Sequence, residues 1–279
     1  MDIDQFIKTV DLNESARAIL YETEQLTGKP FDFTYDPSLP VQAVVKIARS
    51  SMSHHIIRYS GTNNSLLNHH IAHECGHILR YYATPKEYQI VPYSDEQTNR
   101  VAIADIEDYD REFIKSLPID LRYQIIPVWI NRLIHQVTTL PSDIYIEKWI
   151  FDNFSSLRNE QRKSLAQTHK EAVKALEPET RSHFPKVIIE KSIAMNYAFF
   201  KKKDEITGSA FFKKFNQPAF RIMGENLYSC IQDEDTGLVG DISLVNQWAG
   251  ILQINDWFKW RDFESIPLGY ENQEFGKLG

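Results

Sequence analysis

The stretch Asn64-Ser65-Leu66-Leu67-Asn68-His69-His70-Ile71-Ala72-His73-Glu74-Cys75-Gly76-His77-Ile78-Leu79-Arg80-Tyr81-Tyr82 decides how the chain is read. At its centre, His73-Glu74-Cys75-Gly76-His77 has the form H-E-x-x-H. Residues four apart on a helix share a face, so His73 and His77 point the same way. Two imidazoles so placed can hold one Zn²⁺, and a glutamate beside them can act as general base toward a water. Leu67, Ile71, Ile78 and Tyr82 recur at helical spacing, and Asn63, Asn64 and Ser65 offer caps for the helix start. Glu74 falls between Ile71 and Ile78 on that apolar stripe, where a carboxylate is costly unless it is paired or near a metal.

Composition narrows the classes. The 279 residues carry a formal net charge of -7, so no basic surplus is available for general nucleic-acid binding. Hydrophobic residues make up 42% and charged residues 25%, an ordinary globular balance. Cys75 and Cys230 are the only cysteines, which gives no disulfide framework and fits a reducing compartment. Met1 to Asp11 lacks the basic start and apolar run of a signal peptide, and no apolar stretch reaches membrane-spanning length. The expectation is a cytoplasmic protein with no membrane partner.

Around the motif, the sequence predicts an α+β fold. Ile3 to Thr27 reads as one amphipathic helix or two, broken near Asp11-Leu12-Asn13. Phe31 to Tyr35, Val41 to Ala48 and His54 to Tyr59 read as strands of a small mixed or antiparallel sheet, packed on the motif helix. His54 to Tyr59 is expected at the sheet edge, where an extended substrate peptide can add as a strand; the alternative is an interior strand, paired on both sides by Val41 to Ala48 and Phe31 to Tyr35. Pro85 to Ser94 reads as a loop and Asp95 to Lys115 as a helix. A further helix, from Pro118 to Leu140, is expected to stop at Pro141-Ser142 before the next, from Asp143 to about Phe154. The rest reads as mostly helical, ending in a helix from Asp241 to Trp260. The expected organisation is a metallopeptidase-like domain over residues 1–154 and a helical C-terminal region over 155–279, which can also form one continuous domain.

A catalytic zinc usually takes three protein ligands and keeps one open position. Glu147 is the favoured third ligand. It shares a helix face with Asp143, Ile150, Phe151 and Phe154, so it repeats the anomaly of Glu74, and a buried carboxylate is tolerated when it binds a cation. Asp143, one turn earlier, suits the role of an acceptor for a ligand histidine. Glu107 and Glu96 are the competing third ligands; a structural salt bridge is the competing role for Glu147. Tyr197 is a candidate donor to a developing oxyanion, against a core role. His54 and His55 flank the proposed edge, His135 lies in an apolar helix, and Cys75 points away from the motif histidines.

The motif with a downstream helical glutamate resembles the gluzincin group of zinc metallopeptidases. With the preceding strands and Gly76, it is similar to the ImmA/IrrE-like peptidase family over about Val41 to Phe154. In that family the glutamate often comes sooner, in an E-x-x-A-N-x-F-A segment, whose nearest counterpart here is Glu96-Gln97-Thr98-Asn99-Arg100-Val101-Ala102. The resemblance implies cleavage of a repressor or other regulatory protein. The residues themselves point to a Zn²⁺-dependent peptidase acting on a peptide or protein substrate. In that reading His73, His77 and Glu147 are the metal ligands and Glu74 is the catalytic base, with Tyr197 as its accessory. The alternative is a zinc-stabilised regulatory or interaction protein without turnover.

Overall fold

The computed structural model describes residues 1–39, 41–61 and 66–267. It is an α+β chain, 68% helical, with small sheets and a mostly helical C-terminal part. Helices α1 (Ile3–Thr9) and α2 (Glu14–Thr27) are separate, as the break near Asp11 suggested. Each starts on a side-chain cap: Asp2 accepts from the Gln5 N–H and Asn13 from the Ala16 N–H, both at 2.8 Å. Gly28 closes α2 in the left-handed region at φ 66°, which a residue without a Cβ adopts at little cost.

Strands β1 (Phe31–Tyr35), β2 (Ala43–Lys46) and β3 (His55–Tyr59) form a mixed sheet in the order β1-β3-β2. β3 runs parallel to β1, with Phe33 opposite Ile57, and antiparallel to β2, with Val45 opposite Ile57. The strand expected at the edge is therefore the central one. Its alternating pattern places His55, Ile57 and Tyr59 on one buried face. Alternation reports which face of a sheet is covered, and it says nothing about which strands lie alongside.

The motif helix α3 (Leu67–Tyr82) follows. The proposed caps Asn63, Asn64 and Ser65 lie outside the described residues. Next come β4 (Ile90–Tyr93), α4 (Glu96–Tyr109), α5 (Arg111–Ser116) and α6 (Ile119–Asn153). β4 occupies the segment read as a loop. α6 runs through both Pro127 and Pro141, so the expected stop at Pro141-Ser142 does not occur. A proline removes one helical hydrogen bond, and burial on either side offsets that loss. Val137 and Ile144 are both fully buried, and the Lys203 Nζ donates to the carbonyl of Asp143. Ser142 is no cap: its hydroxyl donates to the Thr139 carbonyl inside the helix. The chain continues through α7 (Arg158–Val173), α8 (Pro178–Ser182), α9 (Lys186–Thr207), α10 (Pro218–Ser229) and α11 (Gly237–Leu252). It then forms β5 (Lys259–Asp262), which pairs with β4, where the helix from Asp241 was expected to reach Trp260.

The chain divides into two compact units. One contains Met1–Gln89, Tyr145–Leu165 and the described chain from Asp262; the other contains Ile90–Ile144 and Ala166–Arg261. In the first, Phe6 stacks on Phe33 with centroids 3.9 Å apart. These rings join Phe31, Ile57, Ile71, Cys75, Ile78, Ile146 and Ile150 in a single core. The sheet, α3 and the end of α6 thus close on one another around the apolar side of the motif helix. In the second unit, Trp129 and Trp248 are buried, and Trp257 donates to Asp105 at 2.8 Å.

Candidate metal centre

Three things place α3. Its Ile71, Cys75 and Ile78 are fully buried in the core just described. Its first turn is tied down at Asn68, whose amide accepts from the Asn13 N–H at 2.7 Å and donates to Glu160 at 3.1 Å. Glu160 also accepts the backbone N–H of His69 at 3.3 Å, a carboxylate on the positive end of the helix. Gly76 sets the closeness of α6, since a Cβ there would lie 2.7 Å from Ile146 Cγ2. Ile146 precedes Glu147, so this approach delivers the glutamate to the histidines.

Glu147 is 3% exposed and lies among nitrogen donors. Its Oε1 is 2.9 Å from His73 Nδ1, and its two oxygens are 3.1 and 3.0 Å from His69 Nε2. The Gln161 amide donates to its Oε2 at 2.5 Å and to its backbone carbonyl at 2.7 Å. A carboxylate accepts, so each imidazole nitrogen facing it carries the proton. His73 Nε2 is then left as a lone-pair donor. It faces His77 Nε2 at 3.2 Å, with ring centroids 4.9 Å apart.

This donor set fits a metal ion. Two Zn–N bonds of about 2.05 Å at a tetrahedral angle span roughly 3.3 Å, close to the separation of the two Nε2 atoms. Nδ1 of His69, across the ring from Glu147, is buried with no hydrogen-bond partner among the described residues. The ligating atoms of His69, His73 and Glu147 also lie within 4.8 Å of one another, but with protons on the nitrogens that face the carboxylate this group is held by its own hydrogen bonds. Imidazole and carboxylate donors alone do not single out zinc.

The structure places both His77 and Glu147 beside His73, but on different sides of its ring: Glu147 meets Nδ1 and His77 meets Nε2. Glu74 is half-buried on α3 beside His73. Glu96 and Glu107 are exposed on α4, and Glu96 pairs with Arg100. Tyr197 is buried in the second unit, where its hydroxyl donates to Glu225 and its phenol is pushed up to about 12, chiefly by burial. Asp143 lies one turn before Glu147, on the part of α6 that belongs to the second unit. His54 is exposed. His55 is a core residue, accepting the Ala48 N–H at 3.0 Å on Nδ1, with Nε2 3.2 Å from the Thr27 hydroxyl. His135 is half-buried on α6. Cys75 is fully buried, and burial pushes its thiol up to about 12, as suits a packing residue.

The sequence reading passed over His69 and Gln161. His69, His73 and His77 recur every four residues, a visible signal once donors upstream of the motif are considered. Gln161 lies on α7 and leaves no comparable pattern.

No protein-family model matches this chain, and no curated protein or solved structure is found similar to it. No helix among the described residues is long and apolar enough to cross a membrane.

Proposed function

We propose that the protein is a zinc-dependent peptidase. The observation that carries this reading is the pair of Nε2 atoms on His73 and His77, 3.2 Å apart on one face of α3, with a glutamate between them in sequence. These two histidines would hold the metal. Zn²⁺ in such a site supplies a Lewis acid and lowers the pKa of a water. Glu74, adjacent to His73, takes the proton from the attacking water and passes it to the leaving amine. Glu147 fixes the orientation of His73 from the opposite side of the ring. The substrate is a peptide or protein, and β2, at the margin of the sheet, replaces β3 as the strand against which an extended chain would align. The two cysteines are unpaired, which supports a cytoplasmic setting. The resemblance to ImmA/IrrE-like peptidases rests on the motif and the strands before it.

Zinc content and proteolysis of unfolded casein, compared between wild type and Glu74→Gln, test this reading. The expected result is one zinc per chain in both proteins and cleavage by wild type alone. Absence of zinc from wild type, or equal cleavage by both, overturns it. Zinc in both with cleavage by neither favours the non-catalytic, zinc-stabilised alternative.

A further inference from the structure

Glu147 was the natural third ligand on sequence grounds, yet its surroundings give it other work. Resting on the zinc reading above, we propose that Glu147 is a positioning residue, the hub of a buried His69–Glu147–His73 chain that presents His73 Nε2 to the metal. Three observations converge. First, Glu147 meets His73 at Nδ1, 2.9 Å away, whereas His77 is met by Nε2, 3.2 Å away. The two nitrogens of an imidazole direct their lone pairs or protons to well-separated sides of the ring. A metal on the His77 side is thus across the ring from Glu147.

Second, the carboxylate is already served by N–H donors. His73 donates to Oε1, His69 reaches both oxygens, and Gln161 donates to Oε2. A carboxylate in this state has its principal lone pairs committed to the chain. Third, the hub is anchored on its own account. Gln161 also holds the Glu147 backbone carbonyl at 2.7 Å, and the His69 N–H is held by Glu160. His69 and Gln161 are 2% and 0% exposed, so the chain is a packed unit and not a surface network. A carboxylate accepting from the outer N–H of a ligand histidine fixes its tautomer and orientation and raises its basicity. Here the carboxylate is itself fixed by a second histidine.

The test uses the full chain with ¹⁵N-labelled histidine, loaded with Zn²⁺. Long-range ¹H–¹⁵N correlations are assigned with His69→Gln and His77→Ala. The expected result for His73 in wild type is a proton on Nδ1 and a metal-shifted Nε2; ligation of His73 through Nδ1 overturns the proposal. This measurement needs no substitution at Glu147. Chelator competition gives the second arm. Glu147→Gln is expected to keep one equivalent of zinc with affinity weakened about 10–100-fold. Loss of stoichiometric zinc makes Glu147 a ligand and overturns the proposal, as does unchanged affinity. Should Glu147→Gln not fold, Gln161→Leu, which keeps the carboxylate and removes one of its donors, is expected to keep one equivalent with weaker affinity; unchanged affinity there overturns the proposal. His77→Ala separates the two levels: if it holds as much zinc as wild type, the metal reading itself fails, whatever Glu147 does.

Discussion

Gly76 and Ile146 touch so closely that a single added methyl group at Gly76 would stand 2.7 Å from Ile146 Cγ2 and 3.2 Å from its Cγ1. Ile146 is 1% exposed and β-branched, so it has little freedom to swing aside. The contact sets how near α6 comes to α3, and hence where Glu147 meets His69 and His73.

Gly76→Ala is therefore expected to destabilise the protein even though alanine is the better helix former. Overpacking of a buried site costs about 1–3 kcal/mol, against a propensity gain of up to about 1 kcal/mol. Zinc affinity should fall with it, because the glutamate is displaced. Urea midpoints and chelator competition check both effects. In the double variant with Ile146→Ala the two costs should be clearly non-additive, as for residues in direct contact. Additive costs would show that the contact is not what limits the approach of the helices.

Much of this centre was legible in the sequence, and what was not has definite physical causes. The face shared by His73 and His77 follows from helix periodicity alone, and so does the burial of Glu147 beside Ile150. Periodicity places a side chain on a face; it does not say which nitrogen of a ring meets which oxygen. Whether Glu147 sits on the Nδ1 or the Nε2 side of His73 depends on how two helices approach at residues 74 positions apart in the chain. The order of the strands was hidden for a related reason. Hydrogen-bonded neighbours within a sheet leave no mark on the alternation of a strand, so β3 read as an edge although β1 and β2 flank it. The proline signal at Pro141 was genuine local chemistry, outweighed by burial along both sides of α6.

The exposed glutamates give a plain contrast. Glu96 is satisfied by Arg100 one turn away on a solvent-facing helix, and surface pairs of this kind contribute little to stability. Glu107 is likewise exposed. Glu96→Ala and Glu107→Ala are expected to leave zinc stoichiometry and affinity at the wild-type value, with stability changed by no more than about 0.5 kcal/mol. Metal analysis after gel filtration decides it. A variant that emerges without zinc would identify the third ligand and move the centre's assignment to α4.

The position of β3 also makes a sharp prediction. Ile57 is fully buried and faces Phe33 on one side and Val45 on the other. A proline there removes a backbone donor from an interior strand, where no solvent can replace the lost bond. Ile57→Pro is expected to abolish cooperative folding, read by circular dichroism and thermal melting. A variant that keeps a native spectrum and a sharp melt would mean that β3 does not hold the centre of the sheet.

His55 gives the protein a pH dependence separate from the candidate metal centre. Burial, with a smaller contribution from the Lys29 charge, lowers its pKa from 6.5 to about 4. The folded protein therefore keeps His55 neutral, accepting the Ala48 N–H on Nδ1, while the unfolded chain takes up a proton below about pH 6.5. The sign follows from the proton count. The stability this histidine contributes is fully present above pH 6.5 and is lost as the pH falls from there toward 4, with a slope approaching about 1.4 kcal/mol per pH unit. Chelator must be present throughout, so that release of metal at low pH does not enter. In His55→Asn the shorter amide can still accept the Ala48 N–H and does not titrate. Its stability curve between pH 6.5 and 4 is expected to be flatter than that of wild type by about that slope, even if its stability at pH 7 is lower. Parallel curves for the two proteins across this range would show that His55 is not held neutral by the fold.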